Sequence, residues 1–290
     1  MKKDVKAEIT AQLIEMIEDA QVSGIDWTMP FRSIAGAPHN PITGQKYRGF
    51  NAFWLMMTGQ HTVAGYNQWL EKGWQVQKGS KSILITAPMI KKDRETGDKV
   101  MIGFRGVRVF SSKDVRNVET GAEWQDPEMP EVDLTDRLNG ADEYFRNLGA
   151  SVTHTDEGRA FYRPSTDRIT MPHRELFVAT RSSTATENYY STLAHEHAHW
   201  TGHKSRLDRL DLKNKRGYAF EELVAELSAA FLCNELRITS SPRDDHAQYL
   251  AGWLTALGSD NDYIFKAASE AQKVVDYMDG LQVSSAVEAA

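Results

Sequence analysis

Apolar residues recur with two different periods along this 290-residue chain, and the changes of period mark out its elements. Residues 6–20, KAEITAQLIEMIEDA, place Ile9, Leu13, Met16, Ile17 and Ala20 on one side of a helix. After a proline-punctuated stretch, TGQKYRGFNAFWLMM reads as a basic turn leading into an aromatic helix. YNQWLEKGWQVQKGSKSILI then gives a short helix, a break at Gly73, a second basic turn and an apolar strand. VMIGFRGVRVF follows as another strand behind the hairpin-like KKDRETGDK. Further on, ASVTHTDEGRAFYRPSTDRITMP alternates around Val152, Phe161 and Ile169, as the strands of a small antiparallel sheet do. Residues 220–232, FEELVAELSAAFL, carry Leu223, Val224, Leu227, Ala230 and Phe231 in a helical stripe. HAQYLAGWLTAL and YIFKAASEAQKVVDYMDGL read as two more amphipathic helices, so the pattern predicts an α+β protein.

Composition divides the chain in two. The acidic stretch NVETGAEWQDPEMPEVDLTD, residues 117–136, contains Pro127 and Pro130 and has no sustained period, so it reads as a linker. We expect one domain over 1–120, a linker over 121–136 and a second domain over 137–290. Charge follows the same division: residues 1–125 hold 17 Lys and Arg against 13 Asp and Glu, and the remainder 17 against 27, for a net −6. Residues 44–116 alone hold 13 basic against 5 acidic residues. Cys233 is the single cysteine, so no disulfide forms within the chain, which suits a reducing compartment. No run of 18 apolar residues occurs, and MKKDVKAEIT lacks the apolar core of a signal peptide. The expectation is a soluble, cytoplasmic protein with no membrane partner.

The densest chemistry lies in STLAHEHAHW, residues 191–200. Residues four apart on a helix differ by about 40° in azimuth, so His195 and His199 project from one face as two imidazoles binding one ion must. Glu196 is displaced from both and is placed to act as a general base on water. Thr184 and Glu187 fit a capping box and Gly202 a stop, which predicts a helix over about 186–201. The longer metzincin pattern requires histidine at position 205, where this chain has Ser205. A third ligand is sought in 220–232, where Glu226 borders the apolar stripe and is assigned to the metal with His195 and His199, leaving an open fourth position. Glu222, further toward solvent, is the alternative ligand or a partner to a histidine ring. Zinc is the expected ion, with manganese or another divalent metal left open. His197 points away and reads as a packed histidine, while His203 and Tyr218 are alternatives for stabilising an oxyanion.

In the first half, basic and aromatic residues interleave. Single-stranded nucleic acid is bound by stacking bases on aromatic faces while Lys and Arg follow the phosphates. Lys46, Tyr47, Arg48 and Asn51 form one such segment and Trp74, Lys78 and Lys81 another, and these seven are the expected DNA contacts. Phe50, Phe53, Trp54 and Trp69, at helical spacing, read as core. Between the two helices of the second half, Lys204, Arg206 and Arg209 extend the basic residues toward the metal.

Four blocks, NPITGQKYRGFNAFWLMM, KGWQVQKGSKS, AHEHAHWTGHKSRLDR and YAFEELVAELSAAFLC, together resemble the ArdC family of plasmid antirestriction proteins, over nearly the whole chain. The same blocks occur in the N-terminal domain of conjugation-associated primases. Ser80 stands where relatives often have glutamate, which makes this turn more basic. The second half also resembles the ImmA/IrrE metallopeptidases, which take a third ligand from a glutamate in a downstream helix, a position matched here by Glu226. The resemblance implies a small α+β domain that binds single-stranded DNA, followed by a zincin-like metallopeptidase domain. It also implies a role in protecting incoming plasmid DNA from host restriction during conjugation. The alternative is a metal-dependent peptidase that cleaves a host restriction or regulatory protein and is targeted by DNA. The oligomeric state stands open.

Overall fold

The computed structural model describes residues 4–22, 37–93, 97–126, 134–179, 183–210, 215–238, 258 and 260–282. The helix expected over 246–257 lies outside them. In chain order the elements are α1 (Val5–Val22), α2 (Gly49–Met57), β1 (Val63–Gly65), α3 (Tyr66–Glu71), β2 (Trp74–Val76), β3 (Ile83–Lys92), β4 (Lys99–Ser111) and β5 (Val115–Asn117). They continue as α4 (Leu134–Asn147), β6 (Ser151–Thr155), β7 (Phe161–Arg163), β8 (Arg168–Pro172), α5 (Ala185–Thr201), α6 (Lys215–Glu235) and α7 (Tyr263–Gly280). The architecture is α+β, with helices laid against three small sheets: β1-β4-β3, β2-β5 and β6-β8-β7. No helix among the described residues is long and apolar enough to cross a membrane.

In the second half, α5, α6 and α7 pack against one another through the stripes visible in the sequence. Leu193, Ala194 and Ala198 meet Leu223, Val224 and Leu227, and Ala267, Ala268, Ala271, Val274 and Val275 close the layer. The third sheet is mixed: β7 and β8 pair antiparallel as expected, and β6 joins the other edge of β8 in parallel. Ile169 and Met171 alternate inward on the central strand, and both are buried. Helix α4 differs from the linker that the sequence predicts up to residue 136. It starts within the acidic stretch and contains Gly140, but Ala141, Tyr144, Phe145 and Leu148 recur at helical spacing and all are buried. Cys233 is buried among these helices, and burial pushes its thiol up to about 12, so it packs as an inert small side chain.

The two halves share one hydrophobic cluster. Helix α2 has a mean composition too apolar to face water, with Phe50, Phe53, Trp54, Leu55, Met56 and Met57 all buried. Its first residue, Gly49, has φ +53°, a conformation that glycine adopts without strain. That turn aims the Gly49 N–H at Gln272 Oε1 of α7, 2.9 Å away, so a partner from the far end of the chain satisfies an otherwise free helix N-terminus. Phe50 then stacks on Phe265 with ring centroids 3.8 Å apart. Helix α1 makes the same crossing, since Lys6 Nζ donates to Asp262 at 2.6 Å and Thr10 Oγ1 to the carbonyl of Asn261 at 3.3 Å. A second, smaller cluster of Trp69, Val76 and Val115 fills the space behind β2 and β5, with Trp74 and Trp124 packed on it.

Removing the Phe50 ring empties the junction between halves. Phe50→Ala is expected to destabilise the chain by about 3 kcal/mol or more, seen by calorimetry as one transition moved to lower temperature. Two separate transitions, with only the N-terminal one displaced, would show that the halves do not depend on a common core.

Candidate metal centre

Helix α5 begins as its sequence requires. The Thr184 N–H donates to Glu187 Oε2 at 2.7 Å and the Glu187 N–H to Thr184 Oγ1 at 3.2 Å, which closes the capping box. From that fixed start the helix carries His195 and His199 onto one face, where their Nε2 atoms lie 3.0 Å apart. Helix α6 packs against α5, and its small residues Ala225 and Ala229 are both buried. It brings three carboxylates, one to the two inner nitrogens and one to each outer nitrogen of the histidine pair.

Glu222 reaches the inner side. Its Oε2 lies 3.6 Å from His195 Nε2 and its Oε1 3.5 Å from His199 Nε2. These three residues offer donor atoms within 4.8 Å of one another, a set able to hold a metal ion. Glu226, expected as the third ligand, instead lies against the outer nitrogen of the same ring, with Oε1 3.0 Å from His195 Nδ1. Glu221 does the same for the other ring, 3.1 Å from His199 Nδ1. The Glu221 carboxylate at His199 Nδ1 favours a proton there and a bare Nε2 turned inward, as a metal-binding imidazole needs, while Glu226 makes a close approach to His195 Nδ1. Glu222, the alternative ligand, thus faces the inner nitrogens and Glu226 an outer one. Position around the helix is nearly the same for both, and the difference lies in height along the axis, one turn, which decides which side of the rings is met.

Glu221 is itself held. The Arg209 Nε donates to Glu221 Oε2 and its Nη2 to Oε1, both at 2.9 Å, in a two-pronged pair sealed from water. The same guanidinium donates to the Ala198 carbonyl at 2.7 Å and to Thr201 Oγ1 at 3.2 Å, so it also closes the C-terminal turn of α5. Burial pushes Glu221 up, but the hydrogen bonds from His199 and Arg209 together outweigh it and hold the carboxyl below its ordinary range. Arg206 ties the same loop to the sheet. Its Nε donates to the Trp200 carbonyl at 2.6 Å, its guanidinium lies 4.0 Å from the Trp200 ring, and it forms a forked pair with Asp167 in the β7–β8 turn. Arg206 and Arg209, expected to extend a basic surface, are therefore spent inside the protein, while Lys204 stays exposed.

The neighbours behave variously. Glu196 is 3% exposed, one residue beyond His195. His197 is packed, as expected, against Phe145 and Trp200, with Nδ1 2.7 Å from the Leu193 carbonyl. Burial lowers its pKa to about 4, so it is neutral at neutral pH. His203 engages Ser205 Oγ at 2.7 Å, and Tyr218 stands exposed one turn before Glu222.

The seven expected DNA contacts have different surroundings. The Asn51 amide is consumed by Thr86, donating to its carbonyl at 2.7 Å and accepting from its N–H at 3.0 Å, which pins α2 to β3. Tyr47 is half-buried with its hydroxyl donating to the Val63 carbonyl, and burial raises its pKa. Trp74 packs edge-on against Trp124. Lys46 and Arg48 are exposed but pair with Glu235 and Asp276. Lys78 and Lys81 are exposed in the turn between β2 and β3.

Two family profiles match the chain: the N-terminal domain of the anti-restriction factor ArdC over residues 3–129, and a zincin-like metallopeptidase over residues 139–270. An uncharacterized protein of Sinorhizobium fredii, y4eC, is 34% identical over 301 residues, covering 96% of this chain and 92% of that protein. The DNA primase TraC of Escherichia coli is 35% identical over 303 residues, but the chain spans only 27% of the primase. Among solved structures, the antirestriction ArdC protein from plasmid R388 in its metal-free form is 32% identical, with a TM-score of 0.73 over 96% of this chain and 97% of that one. Its Mn(II)-bound form is 30% identical with the same TM-score, over 96% and 98% of the two chains.

The geometry separates donors from supports. Glu222→Ala should weaken Zn(II) or Mn(II) binding by more than about 100-fold in a competition titration, and Glu221→Gln and Glu226→Gln by about 10- to 100-fold. A milder loss for Glu222→Ala than for Glu226→Gln would give the donor role to Glu226.

Proposed function

The chain belongs to the ArdC family of anti-restriction factors, and from that premise we propose that it binds single-stranded DNA and shields incoming plasmid DNA from host restriction during conjugation. The observation that carries this reading is the segregation of charge. Residues 44–116 hold 13 basic against 5 acidic residues in a chain whose net charge is −6. A polyanion is attracted to the first half and repelled by the second. Similarity to part of a DNA primase supports the same partner. Lys46, Arg48, Lys78 and Lys81 are the surface cations available from the expected set. Tyr47, Asn51 and Trp74 serve chiefly to hold their elements in place.

In the second half, His195, His199 and Glu222 are the residues proposed to hold the metal, with Glu226 and Glu221 fixing the rings from outside. The donor set of two imidazoles and one carboxylate suits zinc, and manganese as well. A divalent ion bound there supplies Lewis acidity to a carbonyl oxygen and eases deprotonation of water. Glu196 is the proposed proton acceptor for the attacking water and the donor to the leaving amine. A second reading, a peptidase acting on a host protein, is favoured by Glu196 alone, because a purely structural metal site needs no such group.

Titration of a fluorescent single-stranded oligonucleotide, and of its duplex, over a range of salt tests the first reading. Tighter single-strand binding that weakens steeply with salt is expected. Equal affinity for duplex, or none for either, overturns it. Glu196→Gln should leave DNA and metal binding intact and retain protection of plasmid DNA in a restricting host. Loss of protection in that variant would transfer the function to the peptidase reading.

A further inference from the structure

Strands β3 and β4 outrun the sheet that anchors them. Strand β1 pairs with β4 only at Val109–Ser111, whereas β3 and β4 continue together as far as Lys92 and Lys99. On one face of this ribbon the cross-strand pairs are Thr86 with Gly106, Pro88 with Phe104, Ile90 with Met101 and Lys92 with Lys99. Gly106 is pressed against Val5 of α1, where a Cβ would come within 3.0 Å of Val5. Beyond that contact the ribbon's apolar side chains are open to water: Phe104 is 42% exposed, Met101 58% and Ile90 59%. The extra residue of the β-bulge at Met89/Ile90 falls at Ile102, which is 59% exposed.

Exposed apolar side chains clustered in this way mark a surface that something covers. Charge identifies what. Residues 83–111 hold six basic against three acidic residues, and Lys91, Lys92, Lys99, Arg105 and Arg108 are all exposed. At the root of the same face a groove of about 640 Å³ runs between the ribbon and α7, lined by Phe104, Met101 and Phe265 with Lys6, Arg48 and Lys273 on its rim. Lys6 Nζ lies 5.3 Å from the centroids of both the Phe104 and Phe265 rings. The rim cations are paired with Asp262, Asp276 and Glu270, but these pairs are at least partly open to water and therefore weak, and a phosphate can replace the carboxylate.

We propose that this ribbon face and the groove at its root form the track for single-stranded DNA, with bases laid on Phe104, Met101 and Ile90 and phosphates met by Lys92, Lys99 and Lys6. The proposal rests on the single-strand reading above and locates it. A duplex, whose bases are stacked inside, has no use for the apolar strip. An apolar protein partner would leave the cations unmatched.

The test is fluorescence anisotropy of a labelled oligothymidine with the full-length protein, alongside size-exclusion chromatography. Two variants are used, Met101→Ser with Phe104→Ser, and Lys92→Gln with Lys99→Gln. All four side chains are exposed, and Ile90→Ser serves as a third variant should either pair disturb folding. The apolar pair should lose about tenfold or more in affinity, and the lysine pair should lower the slope of log affinity against log salt by about 1.4. Wild-type binding with unchanged affinity and slope in the variants overturns the ribbon while leaving the single-strand reading standing. Absence of wild-type binding overturns both. A shift from dimer to monomer in the apolar pair, with DNA affinity unchanged, assigns the face to a second copy of the chain and also overturns the proposal.

Discussion

Glu196, Glu221 and Glu222 are each nearly sealed from water, and a buried carboxylate is costly unless a cation or a set of donors meets it. The second half of the chain is arranged around that requirement. Arg209 answers it for Glu221, reaching 12 residues along the chain to do so. In the same position it closes the end of the helix that bears the histidines, so the loop, the helix end and the imidazole are held by one guanidinium. Glu222 is left facing the two Nε2 atoms, and its charge has its natural partner in an ion between them. Arg206 repeats the device beside it, bracing the loop against Trp200 and Asp167. Metal affinity and local rigidity thus have a common origin, because the groups that orient the rings are the same ones that fold the loop back.

The junction between halves rests on a different physics. Helix α2 is too apolar to stand alone, and the face that covers it belongs to α7. Burial of Phe50 on Phe265 supplies the attraction, while the bond from Gly49 to Gln272 fixes the angle at which the two meet. The N-terminal half is therefore held to the helix that follows the metal site in the sequence. The groove beside the β3–β4 ribbon is one outcome of that docking, since Phe265 and Lys273 of α7 form its far wall.

Much of this was legible in the residues alone. The capping box at Thr184 and Glu187, the four-residue spacing of His195 and His199, and the alternation around Val152, Phe161 and Ile169 are local signals, and local signals survive folding. What could not be read was whatever depends on how two elements meet. A helical wheel separates Glu222 from Glu226 by about 40°, yet the choice between inner and outer nitrogen depends on where α6 crosses α5. Asn51 beside Arg48 looks like a polar contact for a ligand until Thr86 is brought opposite it. Arg206 and Arg209 look like surface charge because nothing in their neighbourhood announces Asp167 or Glu221. The parallel pairing of β6 with β8 depends likewise on the order in which strands are laid down, which alternation does not record. Helix α4 was missed for the opposite reason, its apolar stripe being diluted by acidic and glycine-containing sequence that resembles a linker.

The bond from Gly49 to Gln272 joins residues 223 positions apart. At the roughly 5–20 residues per second of protein synthesis, on the order of ten to forty seconds separate the appearance of these partners at the ribosome. During that interval Phe50 lacks the Phe265 ring on which it stacks, and the side of α2 that meets α7 is open. The N-terminal half can form its hairpin and turns as it emerges, but it cannot finish. Completion waits for α7, so a product of translation that stops before residue 263 would carry an exposed aromatic helix.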